Sequence, residues 1–133
     1  MNTTVLIVDD EEAQRDLIGG ILREHDYAVL EAPDCDEALA LQASYHGRID
    51  LLVADLSLPG GTGYDLCKTL RANARNLKVL FVSGPVGAEL RRFFDVPVSD
   101  VHFLPKPFRP EELLAHLEDV LAAADPFADA ATA

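Results

Sequence analysis

Short apolar runs alternate with longer stretches in which apolar positions recur every three or four residues. "TVLIV" (4–8) reads as a strand and is followed by "EEAQRDLIGGILREHD" (11–26), where Leu17, Ile18, Ile21 and Leu22 fall at helical spacing despite the Gly19-Gly20 pair. "YAVLEA" (27–32) is a second strand and "DCDEALALQASY" (34–45) a second helix, with Asp34 as its N-cap. "IDLLVAD" (49–55) is nearly continuous in apolar character, as expected of a central parallel strand. "GYDLCKTLRAN" (63–73) gives a helix with Leu66, Cys67 and Leu70 on one face, and "KVLFVSG" (78–84) a fourth strand. "GAELRRFF" (87–94) predicts a fourth helix, shortened by Pro97, and "VHFL" (101–104) a short fifth strand. "PEELLAHLEDVLAAA" (110–124) closes the pattern. Pro110 suits a first helical position, and Leu113, Leu114, Leu117, Val120 and Leu121 form the buried stripe.

Strands alternating with helices imply a parallel sheet covered on both faces, and right-handed crossovers leave few topologies. The expectation is an α/β flavodoxin-like (βα)5 three-layer sandwich with five parallel strands in the order 2-1-3-4-5. Residues 1–124 form its single domain, and the Ala-rich stretch 125–133 forms a flexible tail.

Composition narrows the function. A net charge of -12 argues against nucleic acid as a direct partner. No apolar run reaches the ~20 residues that span a bilayer, and no basic-then-apolar leader opens the chain, so a cytoplasmic location without membrane contact is expected. Cys35 and Cys67 are too few and too far apart for a zinc site or a disulfide framework, and both are expected as reduced thiols.

The acids pose the sharper question. "VLIV" runs directly into "DDEE", and like charges a few ångströms apart repel by ~4 kcal/mol at an effective dielectric near 20. Glu11 and Glu12 can face water from a first helical turn, where the helix dipole favours them. Asp9 and Asp10 lie closer to the strand end. In open α/β sheets ligand sites lie beyond the carboxyl ends of the strands, and in the 2-1-3-4-5 order the first and third strands are neighbours. Asp9, Asp10 and Asp55 then converge, with Ser83 ending the fourth strand and Lys106 following the fifth. An oxygen-rich cluster without His or Cys at ligand spacing suits Mg²⁺ held by carboxylates and water. A metal alone does not call for Ser83 and Lys106; a phosphoryl group does. Asp55 can attack phosphorus, the metal can bridge the transferring oxygens, and Lys106 and Ser83 can bind the others.

"LIVDDEE", "VADLSLPGGTGYDL", "VLFVSG" and "FLPKPF" together resemble the four signature segments of the response-regulator receiver domain, over roughly residues 4–124. The resemblance implies that Asp55 is the phosphoacceptor, charged by a histidine kinase, a phosphotransfer protein or a small acyl phosphate. It implies side-chain metal ligation by Asp10 and Asp55, with Asp9 acting through water and the backbone carbonyl of Ser57 completing the set. Ser83 and Lys106 would contact phosphoryl oxygens, Gly84 would keep their entrance small, and Lys106-Pro107 would be cis. Phe103 falls at the switch-aromatic position, although a strand Phe also reads simply as core. Output would pass to a downstream protein partner through the face of the fourth helix, fifth strand and fifth helix, in a monomer or weak dimer. Nothing beyond self-phosphorylation and slow self-dephosphorylation is expected as catalysis.

Other readings stand beside this one. Gly60, Gly61 and Gly63 resemble a phosphate cradle, but their spacing fits neither a P-loop nor a dinucleotide fingerprint, and a mobile loop after "LP" accounts for them. Arg91-Arg92 with Phe93-Phe94 reads as an amphipathic helix face or a docking patch. His25, His46, His102 and His116 are isolated. "FFDVPVSDVHF" lacks the Gly-Ala step common before the fifth strand of receivers and looks more like receivers associated with hybrid histidine kinases. Pro85 and Ser57 occupy positions that tune phosphoryl lifetime. An aspartate-nucleophile phosphohydrolase would carry a second acid two residues after Asp55, where Ser57 stands. An FMN binder would suffer repulsion from "DDEE". A phosphorylation-independent docking module would have no need of the full site.

Overall fold

A computed structural model describes residues 3–58, 61–74, 76–84 and 102–122. The expected fourth helix, Pro85, Arg91-Arg92, Pro97 and the tail 125–133 lie outside them.

The main sheet contains β1 (Thr4–Val8), β2 (Ala28–Ala32), β3 (Leu51–Asp55), β6 (Lys78–Ser83) and β7 (His102–Pro105). Its order is β2-β1-β3-β6-β7 and every pairing is parallel, which is the expected 2-1-3-4-5 arrangement of principal strands. The helices are α1 (Glu12–Glu24), α2 (Cys35–Ser44), α3 (Gly63–Asn73) and, C-terminal, α4 (Pro110–Ala122). A small antiparallel pair not foreseen in the sequence, β4 (Ser57–Leu58) and β5 (Gly61–Thr62), joins β3 to α3.

Strand side chains alternate between faces, and the core divides accordingly. Val5, Ile7, Leu51, Val53, Leu80, Val82 and Leu104 face α1 and α4, meeting Ile18, Ile21, Leu22, Leu113, Leu117 and Val120. Leu6, Val8, Leu52, Ala54, Val79 and Phe81 face α2 and α3, meeting Ala38, Leu66, Cys67 and Leu70. Each fully buried Leu, Ile or Phe contributes about 1.5–3 kcal/mol relative to exposure. Both faces of the central strands are therefore covered, which is why β1 and β3 read as unbroken apolar runs.

Helix starts are set by local chemistry. The Asp34 carboxylate accepts the Glu37 N–H at 2.9 Å, so it is the N-cap expected for α2. The Thr62 hydroxyl accepts from Asp65 at 3.0 Å and caps α3. Pro110 opens α4, as its missing N–H and fixed φ favour. One member of the α1 stripe departs from expectation: Leu17 is 51% exposed, whereas Ile18, Ile21 and Leu22 are buried. Ile18 and Leu22 already fill the seam over β1, and Leu17 is turned outward by the 100° step between adjacent helical positions.

Candidate functional site

At the carboxyl edge of the sheet, β1 delivers Asp9 and Asp10 and β3 delivers Asp55. The three residues each offer an oxygen within 4.8 Å of the others. Asp9 is 1% exposed and Asp55 8%, while Asp10 is open to solvent. Burying two carboxylates demands partners. Asp9 Oδ1 accepts the Glu11 N–H at 2.9 Å, and Asp55 Oδ1 accepts the Ser57 N–H at 3.0 Å. The Lys106 ammonium serves both remaining oxygens, donating to Asp55 Oδ2 at 2.7 Å and to Asp9 Oδ2 at 3.3 Å. Burial works against the charge on Lys106, but the hydrogen bond and charge of Asp55, reinforced by Asp9, prevail and raise its pKa. Burial likewise dominates at Asp9, raising its pKa against the Glu11 hydrogen bond and the Lys106 charge.

The backbone around Asp55 is held closely. Leu56 N–H donates to the Val82 carbonyl at 3.3 Å, and Gly63 N–H donates to the Leu56 carbonyl at 2.9 Å. A β-carbon at Gly63 would collide with the Asp55 carbonyl oxygen. The expectation of a mobile loop is corrected here for Gly61 and Gly63. Gly61 pairs with Leu58, and Gly63 begins α3 because only a residue without a side chain can pass so near the acidic strand end.

Ladder register brings the remaining residues to the same edge. Asp55 pairs with Val82, so Ser83 lies one residue further along β6, and Ser83 pairs with Pro105, immediately before Lys106. The Ser83 carbonyl accepts the Lys106 N–H at 2.9 Å. The Lys106-Pro107 bond is cis, as the resemblance implied. Among the described residues, a β-carbon at Gly84 would meet no atom within 4 Å. Phe103 is half-buried on β7, packed toward the α2/α3 side, with its ring centroid 5.6 Å from that of Phe81.

The donor set fits a hard divalent cation: three carboxylates and no nitrogen or sulfur ligand. The raised pKa of Asp9 also fixes a sign. A carboxyl whose pKa is higher folded than unfolded binds protons more tightly in the fold, so stability increases as pH falls through that raised value. Above that value the carboxylate is charged and the cost of burying it is borne by the fold. Asp9→Asn is therefore expected to raise Tm at pH 7 in a chelator by about 2–5 °C, equivalent to ~1 kcal/mol. It should also weaken the Mg²⁺-dependent rise in Tm. Thermal unfolding with and without Mg²⁺ checks both.

The profile of the "Response regulator receiver domain" family matches residues 5–118. The chain belongs to the response-regulator receiver family. It is 34% identical over 127 residues to "Sensor kinase CckA" of Brucella abortus, covering 93% of this chain and 13% of that protein. It is 36% identical to "Response regulator MprA" of Mycobacterium bovis, covering 95% of this chain and 54% of the other. Among solved structures, the receiver domain of the hybrid histidine kinase CckA superposes with a TM-score of 0.73 at 33% identity, covering 89% of this chain and 98% of that one. The chain thus spans about half the length, or less, of these curated relatives. No helix among the described residues is long and apolar enough to cross a membrane.

Two residues of this receiver escaped the sequence reading. Arg15 Nη1 donates to the Asp9 carbonyl at 2.6 Å, and its Nε lies 4.0 Å from Glu31 on β2. The only signal was a charge within the otherwise apolar "AVLEA".

Proposed function

We propose that this receiver is a phosphoacceptor of a two-component phosphorelay, with Asp55 as the acceptor. The observation that carries the reading is the convergence of Asp9, Asp10 and Asp55 within 4.8 Å on one strand edge, with Lys106 2.7 Å from Asp55. A carboxylate oxygen of Asp55 attacks phosphorus, forming a P–O bond as the donor's P–N or P–O bond breaks, and the electron pair of that bond leaves with the donor. The product is an aspartyl phosphate. Its negative charge then lies on the phosphoryl oxygens, where the Lys106 ammonium and the Ser83 hydroxyl can follow it. Asp9, Asp10, Asp55 and the Ser57 carbonyl are the groups that would hold Mg²⁺. When bound, the ion would offset charge on the transferring oxygens. The donor is a histidine kinase or phosphotransfer protein, or a small acyl phosphate.

Output follows from differential binding. Movement of Ser83 toward the phosphoryl group and repacking of Phe103 would alter the face that includes β7 and α4, changing affinity for a downstream protein. The receiver unit is taken as residues 1–124. Ser57, rather than an acid, two positions after Asp55 favours an acceptor with slow self-dephosphorylation over a phosphohydrolase.

Intact mass after incubation with acetyl phosphate and Mg²⁺ tests this. One added phosphoryl group is expected, absent from Asp55→Asn and from the chelated sample. A folded, Mg²⁺-binding chain that takes up no label from acetyl phosphate or from any phosphorylated histidine donor would leave only a docking function. Comparing the Phe103 environment by NMR before and after fluoroberyllate addition tests the switch.

A further inference from the structure

The cation-binding turn is gripped from a strand that contributes nothing to the acidic cluster itself. Asp9 is held at its N–H by the Ala32 carbonyl at 3.2 Å and at its own carbonyl by Arg15 Nη1 at 2.6 Å. Arg15 is partly buried, its side chain 16% exposed. Its guanidinium lies against Glu31, 4.0 Å away, and the other oxygen of Glu31 accepts from Arg23 Nη2 at 2.9 Å. Gly19 lies under the Arg23–Glu31 pair: a β-carbon there would be 3.0 Å from Arg23 Nη1 and 3.4 Å from Glu31 Oε2, both tips of side chains.

We propose that Arg15, seated on Glu31, is a positioning residue for the cation site, fixing the peptide between Asp9 and Asp10 so that both carboxylates face Asp55. The inference rests on the reading of those three carboxylates as a cation site. Arg15 acts through the backbone and touches neither the reacting atoms nor the metal. Its charge alone would act in the opposite direction, since a nearby cation repels Mg²⁺. Geometry and charge therefore predict opposite signs on its removal. If positioning dominates, Arg15→Ala weakens Mg²⁺ binding; if charge dominates, it strengthens it. Partners that orient metal ligands contribute 10–100-fold to affinity in other sites. A backbone grip one step removed from the ligand oxygens falls at the low end, about tenfold.

The test is Mg²⁺ titration calorimetry on the full chain, beside the Mg²⁺ dependence of acetyl phosphate labelling. Arg15→Ala should raise the Mg²⁺ Kd about tenfold while the labelling rate at saturating Mg²⁺ stays within about twofold of wild type. Arg15→Lys, which can still reach the Asp9 carbonyl, should recover most of the affinity. Glu31→Gln, which keeps the shape but loosens the seat, should move Kd in the same direction by a smaller factor, and it carries the test if Arg15→Ala does not fold. An unchanged or tighter Kd in the variants that fold overturns the inference. A wild-type chain that takes up no Mg²⁺ would overturn the cation site itself, and the positioning role with it.

Discussion

Lys106→Met is expected to destabilise the fold by about 3 kcal/mol in a chelator, and Mg²⁺ should recover much of that loss. The ammonium is the cation shared by Asp55 and Asp9, both nearly buried, and removing one partner of a buried ion pair leaves the other charges uncompensated. The same deletion removes a competitor. Lys106 occupies carboxylate oxygens that a divalent ion would draw upon, so the variant should bind Mg²⁺ more tightly than wild type. Tighter binding to the folded state alone raises stability by RT ln(1 + [Mg²⁺]/Kd). Urea unfolding with and without Mg²⁺ checks both halves. An equal loss in the two conditions would mean that lysine and metal do not share the oxygens. The pH response of wild type has a definite sign as well. Because the Lys106 pKa is raised, the ion pair's contribution is fully present below the ordinary lysine value and fades only as pH climbs through the higher folded value.

Gly63→Ala should be nearly as damaging, at about 2–3 kcal/mol, the upper part of the range for overpacked sites. The collision is with backbone, the Asp55 carbonyl oxygen, so no side-chain rotation relieves it. Relief requires either α3 to withdraw or the end of β3 to bend, and the second displaces the Asp55 carboxylate, the proposed acceptor. Labelling by acetyl phosphate should therefore slow along with the loss of stability. Gly84→Ala is the control for stability, since its β-carbon would meet nothing within 4 Å among the described residues. A Gly63→Ala chain with wild-type Tm and labelling rate would show that the strand end tolerates displacement.

How much of this was written in the chain follows from the range over which each feature is determined. The alternation of "TVLIV", "LLVAD" and "KVLFVS" with amphipathic segments is local, and the topology rules then bring Asp9, Asp10, Asp55 and Lys106 to one edge. Asp34 and Pro110 were legible because capping acts over three residues. Leu17 was not, because periodicity counts apolar character and cannot say where the stripe ends. Gly63 and the β4–β5 pair depend on how closely α3 approaches the end of β3, a distance that no spacing encodes. Arg15 and Glu31 meet only because β1 and β2 are adjacent in register, with Ile7 opposite Glu31. The cis Lys106-Pro107 bond came from resemblance to the receiver family and from no physical property of "KP" itself.

The sheet divides the interior into two sets of buried residues that share no member. Perturbations on opposite sides are separated by the thickness of a backbone layer, so paired truncations such as Ile18→Val with Leu70→Ala should combine almost additively, while pairs within one side should couple. Phe103 faces one compartment and its neighbour Leu104 the other. Along that strand, repacking beneath α2 and α3 can proceed as a largely separate thermodynamic account from the seam under α1 and α4, leaving the two halves free to be redesigned one at a time.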